Sequence, residues 1–360
     1  MKRILVIIVL VILIVVGIFI YKKMDNKRQL HNMEGVYVVP TMENDIEDDS
    51  SYCSTFQLIW NDLKNDLVKT DIKFEEKNAF VDALNKESFK ESDISSDMYY
   101  KVYGLKTLEL KKEIEDAIWK KFKQKSDILD KFKWDEKNLD QGRVDFQRYF
   151  FYTMLYKEFS FTYAFDKLND SYFNGVYDDI KYFGINASSD KKLYNQVEVL
   201  YYNSEDDFAI KLLTKENDEI IFNVNPKGNT FKEIYDNINK NASKYKDATF
   251  FRSGDSLRIP YLDFKLLKEY TELENKPFND LTGNTYTILQ ALQSIQFEIN
   301  EKGGKIKSEA GMDVWKVTSA INLNERNFMV NKTFAIFLKE TNKDKPYFAS
   351  KITDIKKFQQ

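Results

Sequence analysis

The chain contains one histidine and one cysteine in 360 residues. A lone cysteine cannot form an intrachain disulfide, so packing alone has to hold the fold. A lone histidine, His31, rules out the zinc sites and the Ser-His-Asp triad that need imidazoles inside a folded site. Proline and glycine are scarce, at five and 12 residues. With abundant Lys, Asn, Ile and Tyr, that is the composition of an AT-rich bacterial genome. Neither charge sign dominates: 54 basic and 57 acidic residues leave a net charge of −3, which gives no electrostatic ground for nucleic-acid binding. No phosphate-cradling loop or dinucleotide fingerprint is present; Gly303-Gly304 follows a strand but lacks the spaced third glycine. The acidic group Glu205-Asp206-Asp207 reads as a hairpin turn and lacks the grammar of a calcium loop. No cofactor and no metal is expected.

Hydrophobic content of 43% and aromatic content of 15% are enough for one large domain or two small ones. The N-terminus opens with an apolar run, Ile4–Ile20, in which Gly17 alone is neither aliphatic nor aromatic. As a helix it would span about 25 Å, with Tyr21 at the interface. It lacks a small-x-small cleavage site and a following cysteine. Residues 1–21 are therefore expected to be an uncleaved transmembrane signal anchor with the domain extracytoplasmic. Residues 22–50, ending in the acidic run Glu43–Asp49, are expected to be a solvated, flexible stalk. The folded domain is expected over 51–360.

Inside that domain, Phe56, Ile59, Trp60, Leu63 and Leu67 place a helix over Thr55–Lys69. Leu110, Ile114, Ile118 and Phe122 place another over Thr107–Lys123, and Phe231, Ile234 and Ile238 a third over Thr230–Asn241. From Phe150 onward the texture is aromatic and β-prone. Strands are expected at 150–164, 181–186, 196–202, 207–214, 219–224, 257–264, 290–300, 328–339 and 347–353. Helices first and strands later imply an α+β fold with large, mainly antiparallel sheets.

The C-terminal region is the most specific. Ile295, Phe297 and Ile299 alternate with Gln296, Glu298 and Asn300, so one face of this strand is apolar. Lys302-Gly303-Gly304 is expected to break it. A long loop follows, and the chain returns as an apolar strand from Phe328, a polar turn over Glu340–Lys345, and a last strand from Pro346. Phe297-Glu-Ile-Asn-Glu-Lys-Gly303 resembles the hinge of serpins. Val330–Leu338 and Asn342–Ile352 resemble the paired strands that follow the serpin reactive loop. Gln196–Tyr202 with Asp207–Leu213, Leu257–Phe264, and Leu155–Phe159 resemble further serpin strands, so the likeness covers roughly 146–355. It implies a serpin-like fold with an exposed reactive-type loop over 303–327, a reactive-loop hinge at Glu301, Lys302, Gly303, Gly304, Ile306, Ser308 and Ala310, and a scissile region at Lys316, Val317 and Thr318.

Within the loop, Gly304, Ile306, Ser308, Ala310 and Met312 are small or apolar, whereas Lys305, Lys307, Glu309 and Asp313 are charged. A strand inserted with one face buried requires this alternation. The plainer reading of 303–313 is a short edge strand with a solvated face. Protease inhibition through the loop, with a serine or cysteine protease as partner, is the leading function, and the chain is not expected to be an enzyme. The alternatives are a non-inhibitory serpin-like surface protein acting as a binding or structural module, and a cysteine hydrolase using Cys53, which stands just ahead of a helix where a thiol pKa is lowered.

Overall fold

The computed structural model describes residues 35–134, 147–304 and 325–359. Strands β1 (Tyr37–Val39) and β2 (Ser50–Cys53) lead into helix α1 (Thr55–Asp62), which continues as a wider π-helical turn over Leu63–Val68. Helix α2 (Ala79–Leu84) follows, capped by Asn78, whose side chain accepts from the Phe80 and Val81 amides. Next come β3 (Tyr99–Leu105), α3 (Leu108–Phe122), β4 (Tyr149–Leu155) and β5 (Phe159–Ser160). A strand-rich stretch then runs through β6 (Asp166–Phe173), β7 (Tyr177–Ile185), β8 (Val197–Ser204), β9 (Asp207–Leu213) and β10 (Asp218–Val224) to α4 (Phe231–Lys244). Beyond it lie β11 (Ser256–Pro260), β12 (Leu262–Glu269), a small hairpin of β13 (Pro277–Asn279) and β14 (Thr285–Thr287), β15 (Leu292–Asn300) and β16 (Gly303–Gly304). The described chain resumes before β17 (Asn327–Met329), β18 (Phe334–Glu340) and β19 (Phe348–Ile352).

The largest sheet has seven strands in the order β1-β2-β19-β18-β10-β9-β8. Every residue of β10 and β18 is buried, because both faces of the sheet are covered. One face packs on the main core. The other lies under α4, whose Phe231, Ile234 and Ile238 fall on one stripe against Ile221, Ala335 and Phe337. Thr230 caps this helix by accepting from the Glu233 amide. A second sheet runs β17-β11-β7-β6, and a third runs β12-β15-β16-β5. The pair β3-β4 carries α3 on one face, with Leu110, Ile114 and Ile118 packed against Phe150 and Tyr152. The α+β architecture with several mainly antiparallel sheets is therefore present.

Several expectations need correction. Residues 37–50, read as the end of a solvated stalk, are folded: β1 pairs with β2 in parallel, and β2 pairs with β19. The acidic run does not keep Asp49 in water, because its Oδ1 accepts from the Thr353 and Asp354 amides and its Oδ2 from Lys357. The single strand expected over 150–164 is divided into β4 and β5. Lys302-Gly303-Gly304 does not merely end a strand; it turns the chain back as β16. Nor is the whole of 303–327 an exposed loop: Gly303 and Gly304 lie in a sheet, Arg326 is 3% exposed and Asn327 begins β17. Strand β6, helix α2 and the β13-β14 hairpin were not anticipated. The apolar run 4–20 and His31 fall outside the described residues, among which no helix is long and apolar enough to cross a membrane.

Candidate functional site

Among the described residues no strand bridges β4 of the β3-β4 pair and β15 of the third sheet. Among the described residues β4 pairs only with β3. Strand β15 pairs with β12 along its length, but with β16 only at Ile299 and Asn300. Both β15 and β5 run antiparallel to β16, so they are parallel to each other. Where β16 lies between them they stand two strand spacings apart, about 9.6 Å. Beyond it lies a cleft of about 1290 Å³ lined by residues 147–159 on one side and 284–298 on the other. Its sides are a pair of parallel strand edges, and the element that pairs with both is an antiparallel strand.

Gly303 and Gly304, expected from the sequence to belong to a hinge, occupy one end of this slot. Gly303 pairs with Asn300 and Ser160, and Gly304 with Ile299 and Phe159. Glycine is required here. A Cβ on Gly303 would lie 2.3 Å from the Phe159 carbonyl oxygen, at φ +133°, and one on Gly304 would lie 2.2 Å from the Glu298 carbonyl oxygen and 2.4 Å from the Phe159 ring. The preceding turn is tied down by its own backbone: the Phe165 amide donates to the Glu301 carbonyl at 2.8 Å and the Phe161 amide to the Lys302 carbonyl at 2.9 Å. The buried Glu301 carboxylate accepts from the Tyr261 hydroxyl at 2.8 Å and lies 3.4 Å from Lys167. Burial alone would raise its pKa, but the Tyr261 hydroxyl, a backbone amide and Lys167 together hold it below the ordinary range.

Beneath the hinge, the Phe159 and Phe297 rings lie 6.4 Å apart and Phe297 stacks on Phe348 at 4.9 Å, so aromatic rings form the floor. Past Phe159 the wall carries Lys157, buried and paired with Asp218, whose Oδ1 also accepts from the Tyr347 hydroxyl. Burial outweighs these partners and pushes the Asp218 carboxyl up to about 6. The folded state therefore holds this proton more tightly than the unfolded chain. Between about pH 4 and 6 this one group makes stability fall as pH rises. Asp218→Asn is expected to remove that component. The difference between the wild-type and variant melting temperatures, followed from pH 4 to 7, should drift across the window; two parallel curves would contradict the assignment.

Further along β15, Gln293 ties the slot to the interior. Its Nε2 donates to the Cys53 carbonyl and to Thr55 Oγ1, and its Oε1 accepts from Tyr270. Cys53 itself is 8% exposed, and burial pushes its thiol upward, only partly offset by hydrogen bonds from Thr55 and Ser54. A buried thiol with a raised pKa is the opposite of an activated nucleophile, so the hydrolase reading loses its chemical basis.

Where the described chain resumes, Arg326 is held by a buried network. Its guanidinium donates to Asp255 (Nη2 to Oδ2 at 2.7 Å), the Tyr245 hydroxyl, and the carbonyls of Ala248 and Phe250. Of the site residues expected from the sequence, Glu301, Lys302, Gly303 and Gly304 are thus brought together at the slot. Ile306, Ser308, Ala310, Lys316, Val317 and Thr318 lie outside the described residues. Phe159, Lys157, Asp218, Asp255 and Arg326 were missed. A buried salt bridge between residues far apart in sequence leaves no local periodicity to find, although an arginine next to the strand that ends a loop was a usable signal.

No family profile and no curated protein matches the chain. Among solved structures it is similar to thyroxine-binding globulin in complex with thyroxine, at 12% identity over 68% of this chain and 64% of that one, with a TM-score of 0.41. The match therefore spans slightly less than two thirds of the globulin. Serpin48 of the insect Tenebrio molitor is similar at 12% identity over 80% and 73%, with a TM-score of 0.39. The thermophilic serpin Tengpin in its native state is similar at 12% identity over 79% and 70%, with a TM-score of 0.38. The solved proteins that this chain is similar to include serpins, the family its C-terminal segments resemble.

Proposed function

We propose that this chain is a serpin-like inhibitor of a serine or cysteine protease, acting through the loop that leaves the slot at Gly304. One observation carries the reading: β16 already pairs with both edges of the slot, so a strand that continued in its direction would run along the opening. If the register of β16 continued, Ile306 would come opposite Lys157 and Phe297, Ser308 opposite Leu155 and Ile295, and Ala310 opposite Thr153 and Gln293. These wall residues share the face of Phe159 and Ile299, which are buried. The small or apolar set of the loop would then face the core and the charged set the other side, which supports insertion over a solvated edge strand. Cleavage near Lys316, Val317 or Thr318 would free that strand to complete the sheet. The conversion of an open sheet to a full one is the source of the inhibitory work. The apolar run 4–20 supports a single-pass anchor that holds the domain outside the cell membrane, with no nucleic acid as partner.

The test is thermal melting of the 35–360 fragment before and after limited proteolysis in the 313–320 region. A rise of tens of degrees is expected, along with an SDS-stable adduct to the matching protease. A nicked protein with unchanged melting and no adduct would mean a binding or structural module in place of an inhibitor.

A further inference from the structure

Lys157 and Asp218 meet where the slot wall rests on the largest sheet. Lys157 lies between β4 and β5, and Asp218 opens β10. Lys157 is 8% exposed and Asp218 1%, and Nζ is in contact with Oδ2. Among the described residues nothing else pairs with Oδ2, and Asp218 is the one charged partner of Lys157. Two further buried groups complete the cluster. Tyr347 donates its hydroxyl to Oδ1 at 3.2 Å. Glu340 stands directly opposite Asp218 in the β10-β18 pair, and its Oε2 accepts from the Ser95 amide at 2.8 Å. Residues so paired share a face, with Cβ atoms about 5 Å apart. The Glu340 charge adds to the burial that raises the Asp218 carboxyl. An ammonium and a carboxylate buried together carry the desolvation cost of two charges. Passing one proton from Nζ to Oδ2 removes both charges and leaves a neutral amine against a neutral carboxylic acid. Those are the two reactants of amide formation, held in contact and largely out of water.

We infer that Lys157 and Asp218 are the site of an intramolecular amide bond, closed with the help of Tyr347 and Glu340. The Nζ lone pair attacks Cγ and forms the N–C bond. The carbonyl electrons move to Oδ1, where the Tyr347 hydroxyl stabilises the oxyanion. The Glu340 carboxylate takes a proton from the now cationic nitrogen and gives it to Oδ2. The Cγ–Oδ2 bond then breaks, the Oδ1 electrons restore the carbonyl, and one water leaves. Nothing is oxidised or reduced, and Glu340 ends as it began. Lys157 and Tyr347 both line the cleft, so the water has a way out. The bond ties the slot wall, two residues before Phe159, to the largest sheet and closes a loop of about 60 residues, which restricts the unfolded chain as a disulfide would. It does not depend on the inhibitor reading. The ion pair is the state before closure. The pH dependence expected of Asp218 belongs to that state and is measured on chains whose mass shows the bond still open.

The test is the intact mass of the folded full-length protein, followed over days at neutral pH, with peptide mapping of the product. The expected mass falls short of the sequence by one water, and the fragments carrying Lys157 and Asp218 are expected to travel as one branched peptide. Lys157→Arg keeps the positive charge but is no nucleophile, and should retain the full mass. Glu340→Gln keeps an acceptor for the Ser95 amide and should slow the loss of water about a hundred-fold. Tyr347→Phe should slow it to a similar degree, about a hundred-fold. The wild-type measurement decides the bond without any variant: a chain that keeps its full mass overturns it. A loss of water that maps to another residue, such as a succinimide at a surface aspartate, or that persists in Lys157→Arg, overturns it as well. Equal rates in the wild type, Glu340→Gln and Tyr347→Phe would overturn the assisted step.

Discussion

Arg326→Ala is expected to lower folding stability by about 3–5 kcal/mol, the range for removing one partner of a buried ion pair. The guanidinium is 3% exposed and Asp255 is 4% exposed. Every direction of the fork is used: two donors face Asp255, one faces Tyr245, and two carbonyls are capped. Truncation would leave the Asp255 carboxylate facing Arg252 at 3.7 Å and two buried carbonyls without their donor. Arg326→Lys cannot reproduce the planar fork and should recover only part of the loss. Urea denaturation of the wild type, both single variants and Arg326→Met with Asp255→Leu would check this. The double variant should be more stable than either single one, and a single-variant loss under about 1 kcal/mol would contradict the role of this network.

The second large effect is expected at the hinge. Gly303→Ala adds a methyl group 2.3 Å from the Phe159 carbonyl oxygen and 2.6 Å from the Ser160 Cα, at a φ of +133°. Backbone cannot yield as a side-chain tip can, and this conformation costs about 1–3 kcal/mol for a residue with a Cβ. The expected result is local: β16 leaves the sheet while β15 and β12 stay paired. The Phe161 and Phe165 amides, which donate to Lys302 and Glu301, should then lose their protection against hydrogen exchange. Unchanged protection at these two amides would falsify the wedge. With β16 expelled the slot loses its starting register, so the inhibition proposed above should fall as well.

Much of this fold was legible where burial is one-sided. Val197, Val199 and Tyr201 alternate with less buried neighbours, as do Ile295, Phe297 and Ile299; the second strand was read from that period and the first from its β-prone residues. The helices at Leu108–Phe122 and Phe231–Lys244 were equally readable, from apolar residues three or four apart. Strand β6 was not, because Asp166–Phe173 lies at a sheet edge with mostly polar, part-exposed residues. Strands β1 and β2 were hidden by the acids between them, since a sequence does not show that Asp49 will meet Lys357 and two amides from the other end of the chain. The glycines of the hinge announced a change of direction. They could not announce that Ser160 and Phe159 would stand opposite them, because that pairing joins residues far apart in sequence.

The pairing of β2 with β19 has a consequence for synthesis. Cys53 stands opposite Phe348 and Ser51 opposite Ser350, with the two serine hydroxyls 2.9 Å apart. The seven-stranded sheet is joined across β2 and β18 by a strand made almost 300 residues after β2. Until residues 348–352 emerge, β2 and β18 each present an edge without its neighbour, and such edges invite pairing between nascent chains. Contacts spanning most of the chain also make the final closure slow. A ribosome paused shortly before Phe348 would therefore hold a chain that cannot yet shut its largest sheet.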